Sequence, residues 1–373
     1  MVVVHAVVFV LGGALVVSAP FSALGTFVVP RGVPDRLTRL VFVAMRHVFD
    51  LSLRPERSAA RERTMAFYAP VALLTLPVVW LSCLLVGYTA IFWALGASSW
   101  GVAFTISRLS LLYLGSDTRH LPAATVVAFS ETVLSLLLAA ILVSYLPTMY
   151  SAFSQREAAV TGLETRAGSP PSPVKMLIRY HRIQGMDHIG EVWPTWQAWF
   201  EVVEESHTAL QPLVFYRSPQ PGRSWVTAAG AVLDTAALVA STLERPRDPP
   251  AELCIRAGYL CLQRIARVFA IPFNPDPAPT DPISVTQAEF AAVCDALAGA
   301  GVPLKKDREQ AWRDFAGWRV NYDAVLVALA VLTAAPPALW SSDRVPHRRS
   351  AFVPPTKRAR DVALAITAGR RLT

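Results

Sequence analysis

The chain runs to 373 residues, 53% of them hydrophobic and 17% charged, with a net charge of +8. Ordinary soluble domains carry about 25% charged residues; here residues 1–21 and 66–107 contain none at all. A wholly water-soluble fold is excluded. The surplus positive charge sits in two segments, 22–68 and 341–373, which excludes a diffuse nucleic-acid-binding surface.

Residues 1–21 (MVVVHAVVFVLGGALVVSAPF) are long enough for one membrane crossing at 1.5 Å per residue. A cleaved signal peptide needs a positively charged start, and only His5 stands there, so a retained helix is expected. The stretch 22–68 sets eight arginines against four acids, which predicts a cytoplasmic loop. Within it Leu37, Leu40, Val41, Ala44, Val48 and Leu51 recur at helical spacing, with Asp35, Arg39, Arg46 and Asp50 on another face. This predicts an amphipathic helix over 34–51, lying on the inner leaflet or packed on the cytosolic domain. Residues 68–96 form a second span, with Trp80, Tyr88 and Trp93 as interface anchors and Pro77 as a kink site. Residues 121–150 form a third, with Pro122 suited to a first helical turn. The resulting orientation puts the N-terminus and 97–120 outside and everything from 151 onward in the cytoplasm.

Residues 97–120 (ASSWGVAFTISRLSLLYLGSDTRH) are too short to cross and return as helices and too apolar for a free loop. The pattern predicts a re-entrant helix over 99–112, with Tyr113, Leu114, Gly115, Ser116 and Asp117 returning as extended backbone. Span, re-entrant helix, short Gly-containing strand and span is the order of a tetrameric cation pore, in which carbonyls replace the ion's hydration. Glu131 stands about 15 Å inside the third span. A carboxylate there costs about 2.5–3.5 kcal/mol unless paired or hydrated. It either faces a wet cavity and supports the re-entrant segment, or is a structural partner of Arg108 or a Ser hydroxyl. Ser130, Ser135 and Ser144 flank it.

Several stretches carry a resemblance: 107–116 (SRLSLLYLGS), 145–157 (YLPTMYSAFSQRE), 164–172 (ETRAGSPPS), 205–218 (ESHTALQPLVFYRS), 224–238 (SWVTAAGAVLDTAAL) and 319–340 (RVNYDAVLVALAVLTAAPPALW). On these the chain resembles bacterial membrane proteins with a two-helix potassium-channel-type pore domain followed by a soluble helical domain. The resemblance implies a homotetramer in the bacterial inner membrane, with a monovalent cation as the conducted species. It departs from the TVGYG filter pattern. Tyr113 stands where the Thr hydroxyl belongs, and the second Gly is missing. The expectation is therefore a degenerate pore, and the alternative is a non-conducting scaffold or sensor acting through the cytosolic part.

In that part, SPPSP at 169–173 predicts a stiff break after the last span. Trp193, Trp196 and Trp199 share a helix face, expected to be core. Residues 225–243, nearly apolar but carrying Asp234, and 322–340 are expected as buried helices rather than further spans. His181, His188 and His207, with Asp187 and Glu191, lack the pitch of a zinc site. Cys83, Cys254, Cys261 and Cys294 show no paired spacing and are expected as free thiols. No phosphate-loop, dinucleotide, hydrolase or kinase signature is present, so neither an enzyme nor a cofactor is expected. Residues 344–373, with eight basic residues against one acid, are expected as a disordered basic tail able to touch anionic lipid. The expected fold class is all-α: three transmembrane helices and a re-entrant pore-type helix, then an all-α cytosolic domain over 151–343.

Overall fold

A computed structural model of the chain describes residues 2–27, 36–52, 64, 67–113, 122–344 and 355–370. Among these every regular element is helical. The one approach to a sheet is a lone bridge between Leu243 and Leu304. The chain divides into two units, Met1–Val48 with Tyr68–Ser151, and Phe49–Phe67 with Ala152–Thr373.

The first unit contains α1 (Val2–Phe27), α2 (Arg36–Ser52), α3 (Tyr68–Ala94), α4 (Trp100–Leu111) and the first part of α5 (Pro122–Ala167). Helices α1, α3 and α5 are long and apolar enough to cross a membrane. A helix suits that task because it satisfies its own backbone polar groups where no water reaches them. Their outer faces leave Val3, Val7 and Val10, Leu74 and Val78, and Val126, Phe129, Leu136 and Val143 exposed. Apolar surface of that extent belongs in lipid, and the chain is a membrane protein.

Helices α1 and α3 run antiparallel and touch backbone to backbone. A Cβ on Gly12 would lie 2.7 Å from Gly87 O, and one on Gly87 would lie 2.9 Å from Gly12 O. Small residues at a crossing are how helices gain packing in lipid, where there is no hydrophobic drive to associate. On either side of the crossing the His5 and Trp93 rings meet edge-on at 4.6 Å, and Trp80 Nε1 donates to Ser22 Oγ at 2.9 Å. Helix α2 covers most of the expected amphipathic segment. Tyr68 OH donates to Phe42 O at 2.9 Å, and the hydroxyls of Thr26 and Thr38 meet at 2.7 Å. Of the predicted apolar stripe, Val41 is buried while Leu40, Ala44 and Val48 stay exposed along one side.

The second unit comprises the end of α5, α6 (Pro173–Arg182), α7 (Val192–Ala209), α8 (Trp225–Ser241), α9 (Pro249–Val268), α10 (Gln287–Gly299), α11 (Arg308–Arg319), α12 (Asp323–Thr333) and α13 (Pro355–Thr367). The sequence writes the starts of several helices. Ser172, Asp248 and Asp307 accept backbone N–H bonds as caps, and Thr286 with Glu289 forms a capping box. Helix α8 is the axis of the core, buried on all sides. It is a core helix rather than a crossing one. Gly258 of α9 lets that helix approach closely, since a Cβ there would overlap Leu233 Cδ2. Trp193, Trp196 and Trp199 are buried in the same core, as their spacing predicts. Cys254, Cys261 and Cys294 are buried free thiols, and burial pushes the first two upward from the ordinary thiol pKa, toward inertness.

The expected disordered tail is corrected over part of its length. Residues 355–367 form α13, whose Ala359, Val362, Ala363 and Ile366 are buried, Val362 and Ile366 against Ala324 and Val327 of α12. These four positions follow helical spacing, which gives even a basic segment an apolar face to bury. Residues 345–354 lie outside the described residues.

Candidate functional site: a hydroxyl-lined carboxylate among the spans

Helix α4 starts where Ser99 accepts a bond from Val102 N at 3.2 Å. Trp100 stacks on Trp93 at 4.8 Å beside this start. Twelve residues make a helix of about 18 Å, well short of the roughly 30 Å hydrocarbon layer. It lays Ala103, Ile106, Ser107 and Ser110 inward, and Arg108 is exposed.

The C-terminal turn of α4 is held from both sides. Ser107 Oγ lies 2.6 Å from Glu131 Oε1 on α5 and 3.2 Å from Leu85 O on α3. Thr132 Oγ1 donates to Ser110 O at 2.9 Å, and Ser135 Oγ lies 3.4 Å from Leu111 O. Those carbonyls belong to the last turn, beyond the reach of the regular helical ladder, and Ser110 O also accepts from Tyr113 N at 3.2 Å. Tyr88 OH and Ser130 Oγ, 2.9 Å apart, join α3 to α5 directly. Leu85 lies about 14 Å along α3 from its Ala94 end, and Glu131 about 14 Å along α5 from Pro122. The turn is thus fixed at comparable depth on both long helices.

Glu131 is completely buried, and its Oε2 has no hydrogen-bond partner among the described residues. Of the two structural partners considered for Glu131, Arg108 is not bonded to it, and a Ser hydroxyl, that of Ser107, is. Ser107 and Arg108 are neighbours in sequence, but successive residues point about 100° apart around a helix. Ser144, by contrast, donates within its own helix, to Ala140 O. Tyr113 follows the turn with φ +60, uncommon for a residue with a side chain, and its hydroxyl is 3.4 Å from Ser135 Oγ. Leu114, Gly115, Ser116 and Asp117 lie outside the described residues.

Two polar clusters of the second unit were not singled out by sequence reasoning. Arg319, fully buried, bonds Asp234 Oδ1, Trp340 O and, at 2.7 Å, Asp323 Oδ1. Tyr322 OH donates to Asp234 Oδ1 at 2.9 Å, and Ser284 supplies N–H and O–H to Asp323 at 2.6 and 2.7 Å. Burial pushes the Asp234 carboxyl up to about 6, with Arg319 and Tyr322 pulling against it. The lone acid in the apolar 225–243 run was the available signal, since a buried charge requires a counter-charge. In the second cluster, Arg156 near the end of α5 reaches His207 Nε2 and Leu213 O at 3.1 Å, Tyr216 O at 2.7 Å and Glu157 at 2.9 Å. Trp199 Nε1 donates to Arg156 O at 3.2 Å.

The histidines considered for metal are separate. His207 is buried beside Arg156, whereas His188 is exposed and bonds Glu191 at 2.9 Å. Among the described residues no group of three metal-ligating side chains converges. No family model matches the chain, and no curated protein or solved structure is detectably similar to it.

Proposed function

We propose that the chain is a homo-oligomeric, channel-type membrane protein of the bacterial inner membrane. In this reading α3, α4 and α5 form the pore unit, and the second unit lies in the cytoplasm. Four copies would surround a path for a monovalent cation, with α4 as a re-entrant helix and Tyr113–Asp117 as the constriction. One observation carries this reading. The last turn of a half-length helix is bonded to Leu85, Glu131 and Thr132, each far from the ends of its own helix. A helix so held directs its negative dipole end toward mid-depth, where a cation lacks water.

A non-conducting scaffold or sensor is the second reading. It is favoured by the Thr132 and Ser135 hydroxyls at the carbonyls of that helix end and by the cationic Arg108 on the same helix. Planar-bilayer recording of purified protein separates the two. Cation conductance that changes in Glu131→Gln and in Gly115→Ala supports the pore. A silent protein that assembles at the same oligomer size would overturn it in favour of the scaffold.

A further inference from the structure

We propose that Glu131 is a proton-binding site, and that the bound proton closes a hydrogen-bonded chain from α5 through α4 to α3. The argument starts from one hydrogen atom. The Ser107 hydroxyl has a single hydrogen and two acceptors, Glu131 Oε1 at 2.6 Å and Leu85 O at 3.2 Å. With Glu131 ionised, the hydrogen goes to the carboxylate, because a charged acceptor wins over a neutral one. Leu85 O is the poorer competitor, since it already accepts from Thr89 Oγ1 at 2.7 Å. The α4–α3 bond is then unmade.

When a proton from water binds Oε1, the new O–H donates to Ser107 Oγ. The Ser107 hydrogen turns to Leu85 O, and three helices are joined in series. Nothing is oxidised or reduced; one O–H bond of a hydronium ion breaks and leaves water, one forms at Oε1, and one hydroxyl rotates. The acid form also removes the charge from a fully buried group whose Oε2 has no donor among the described residues. A proton is the ligand that fits, because it needs no cavity beside a completely buried carboxyl.

Few other groups compete at this point. Helix α3 carries Tyr88, whose hydroxyl is engaged by Ser130, and Cys83. Helix α4 carries Arg108, exposed and not bonded to Glu131. The one titratable side chain of α1 is His5, at Trp93, and the span part of α5 adds Tyr145 and Tyr150. The proposal rests on the pore-unit reading for its consequence, a half-helix fastened at low pH and loosened at high pH. Its chemistry does not require conduction.

The test is infrared difference spectroscopy of the full-length protein in nanodiscs of zwitterionic lipid, titrated with pH. The expected result is the carbonyl stretch of a protonated carboxylic acid that vanishes as pH rises. The band is absent from Glu131→Gln at every pH, and in Ser107→Ala it shifts to higher frequency because the acid has lost its acceptor. Amide hydrogen exchange over 103–111, corrected for intrinsic rates, should speed up about tenfold across the same transition, the equivalent of one hydrogen bond. In Glu131→Gln, whose amide donates to Ser107 as the acid does, exchange should stay slow throughout. No Glu131-dependent acid band at any pH would overturn the proposal, as would wild-type exchange that matches Glu131→Gln across the titration. A silent bilayer with the band present would sink the pore and leave the proton site standing. Conductance without the band would do the reverse.

Discussion

Helices α3 and α8 are both apolar enough to read as spans, yet one shows its sides and the other hides them. Helix α8 buries all of its 17 residues except Ala240, whereas α3 buries 12 of 27. The buried set of α3, Ala69, Ala72, Leu73, Leu76, Trp80, Leu84 and Gly87, is one stripe at helical spacing. Protein covers that stripe and lipid solvates the rest. Helix α8 has protein on every side, so its apolar surface is left to no solvent at all.

The same contrast governs the two buried carboxylates. Asp234 receives a guanidinium and a phenol. Glu131 receives one serine hydroxyl. Surrounded by a folded core, an acid is neutralised by a counter-charge. Among spans, where a second charge carries its own insertion cost, a hydroxyl does the work.

The largest expected effect breaks the second unit. Arg319→Met leaves Asp234 and Asp323 buried without a cation and should cost about 3–5 kcal/mol. Denaturant unfolding of the detergent-solubilised protein, followed by tryptophan fluorescence, reads it; a loss under about 1 kcal/mol would refute the neutralisation argument. In the first unit, Gly12→Leu forces a side chain into the Gly87 backbone and should cost about 1–3 kcal/mol. It should also lower the yield of a disulfide engineered between the facing parts of α1 and α3.

The third expectation concerns pH. His207 is held neutral, its pKa pushed well below the ordinary value by complete burial and then by the Arg156 guanidinium beside it. The unfolded chain binds the extra proton. The contribution of His207 is therefore intact above about pH 6.5 and lost below it, at up to about 1.4 kcal/mol per pH unit. Unfolding measured against pH should show that acid limb, and His207→Gln should flatten it. The smallest effect sharpens the comparison. At low pH, where Glu131 holds its proton, Glu131→Gln should change stability by no more than about 0.5 kcal/mol, because it keeps a neutral donor toward Ser107. A destabilisation as large as that of Arg319→Met would mean that the two carboxylates are handled alike.

The spans were legible because uncharged runs of more than twenty residues have few explanations. The Trp193–Trp199 face was legible because its period is local. Pairings across the chain were not. Ser107 and Glu131 are 24 positions apart, and Arg319 and Asp234 are 85 apart. Nothing in the spacing selects one serine among several or one arginine among many. Charge spoke for Arg108 as the partner of Glu131 and a Ser hydroxyl was the alternative; the orientation of α4 selected Ser107, the neighbour of Arg108. The α13 segment was missed because composition was weighed over the whole tail, where arginines and prolines outnumber the four apolar positions that carry the helix.

The seat of Arg156 has a consequence for the order of synthesis. Its acceptors, His207, Leu213 O and Tyr216 O, are encoded 51 to 60 residues after it. At roughly 5–20 residues per second, a ribosome needs roughly 3–12 s to deliver them. Until then the guanidinium lacks these three acceptors, and of its partners only Glu157 stands beside it in sequence. A chain stalled before Tyr216 would hold all three spans but could not complete its second unit.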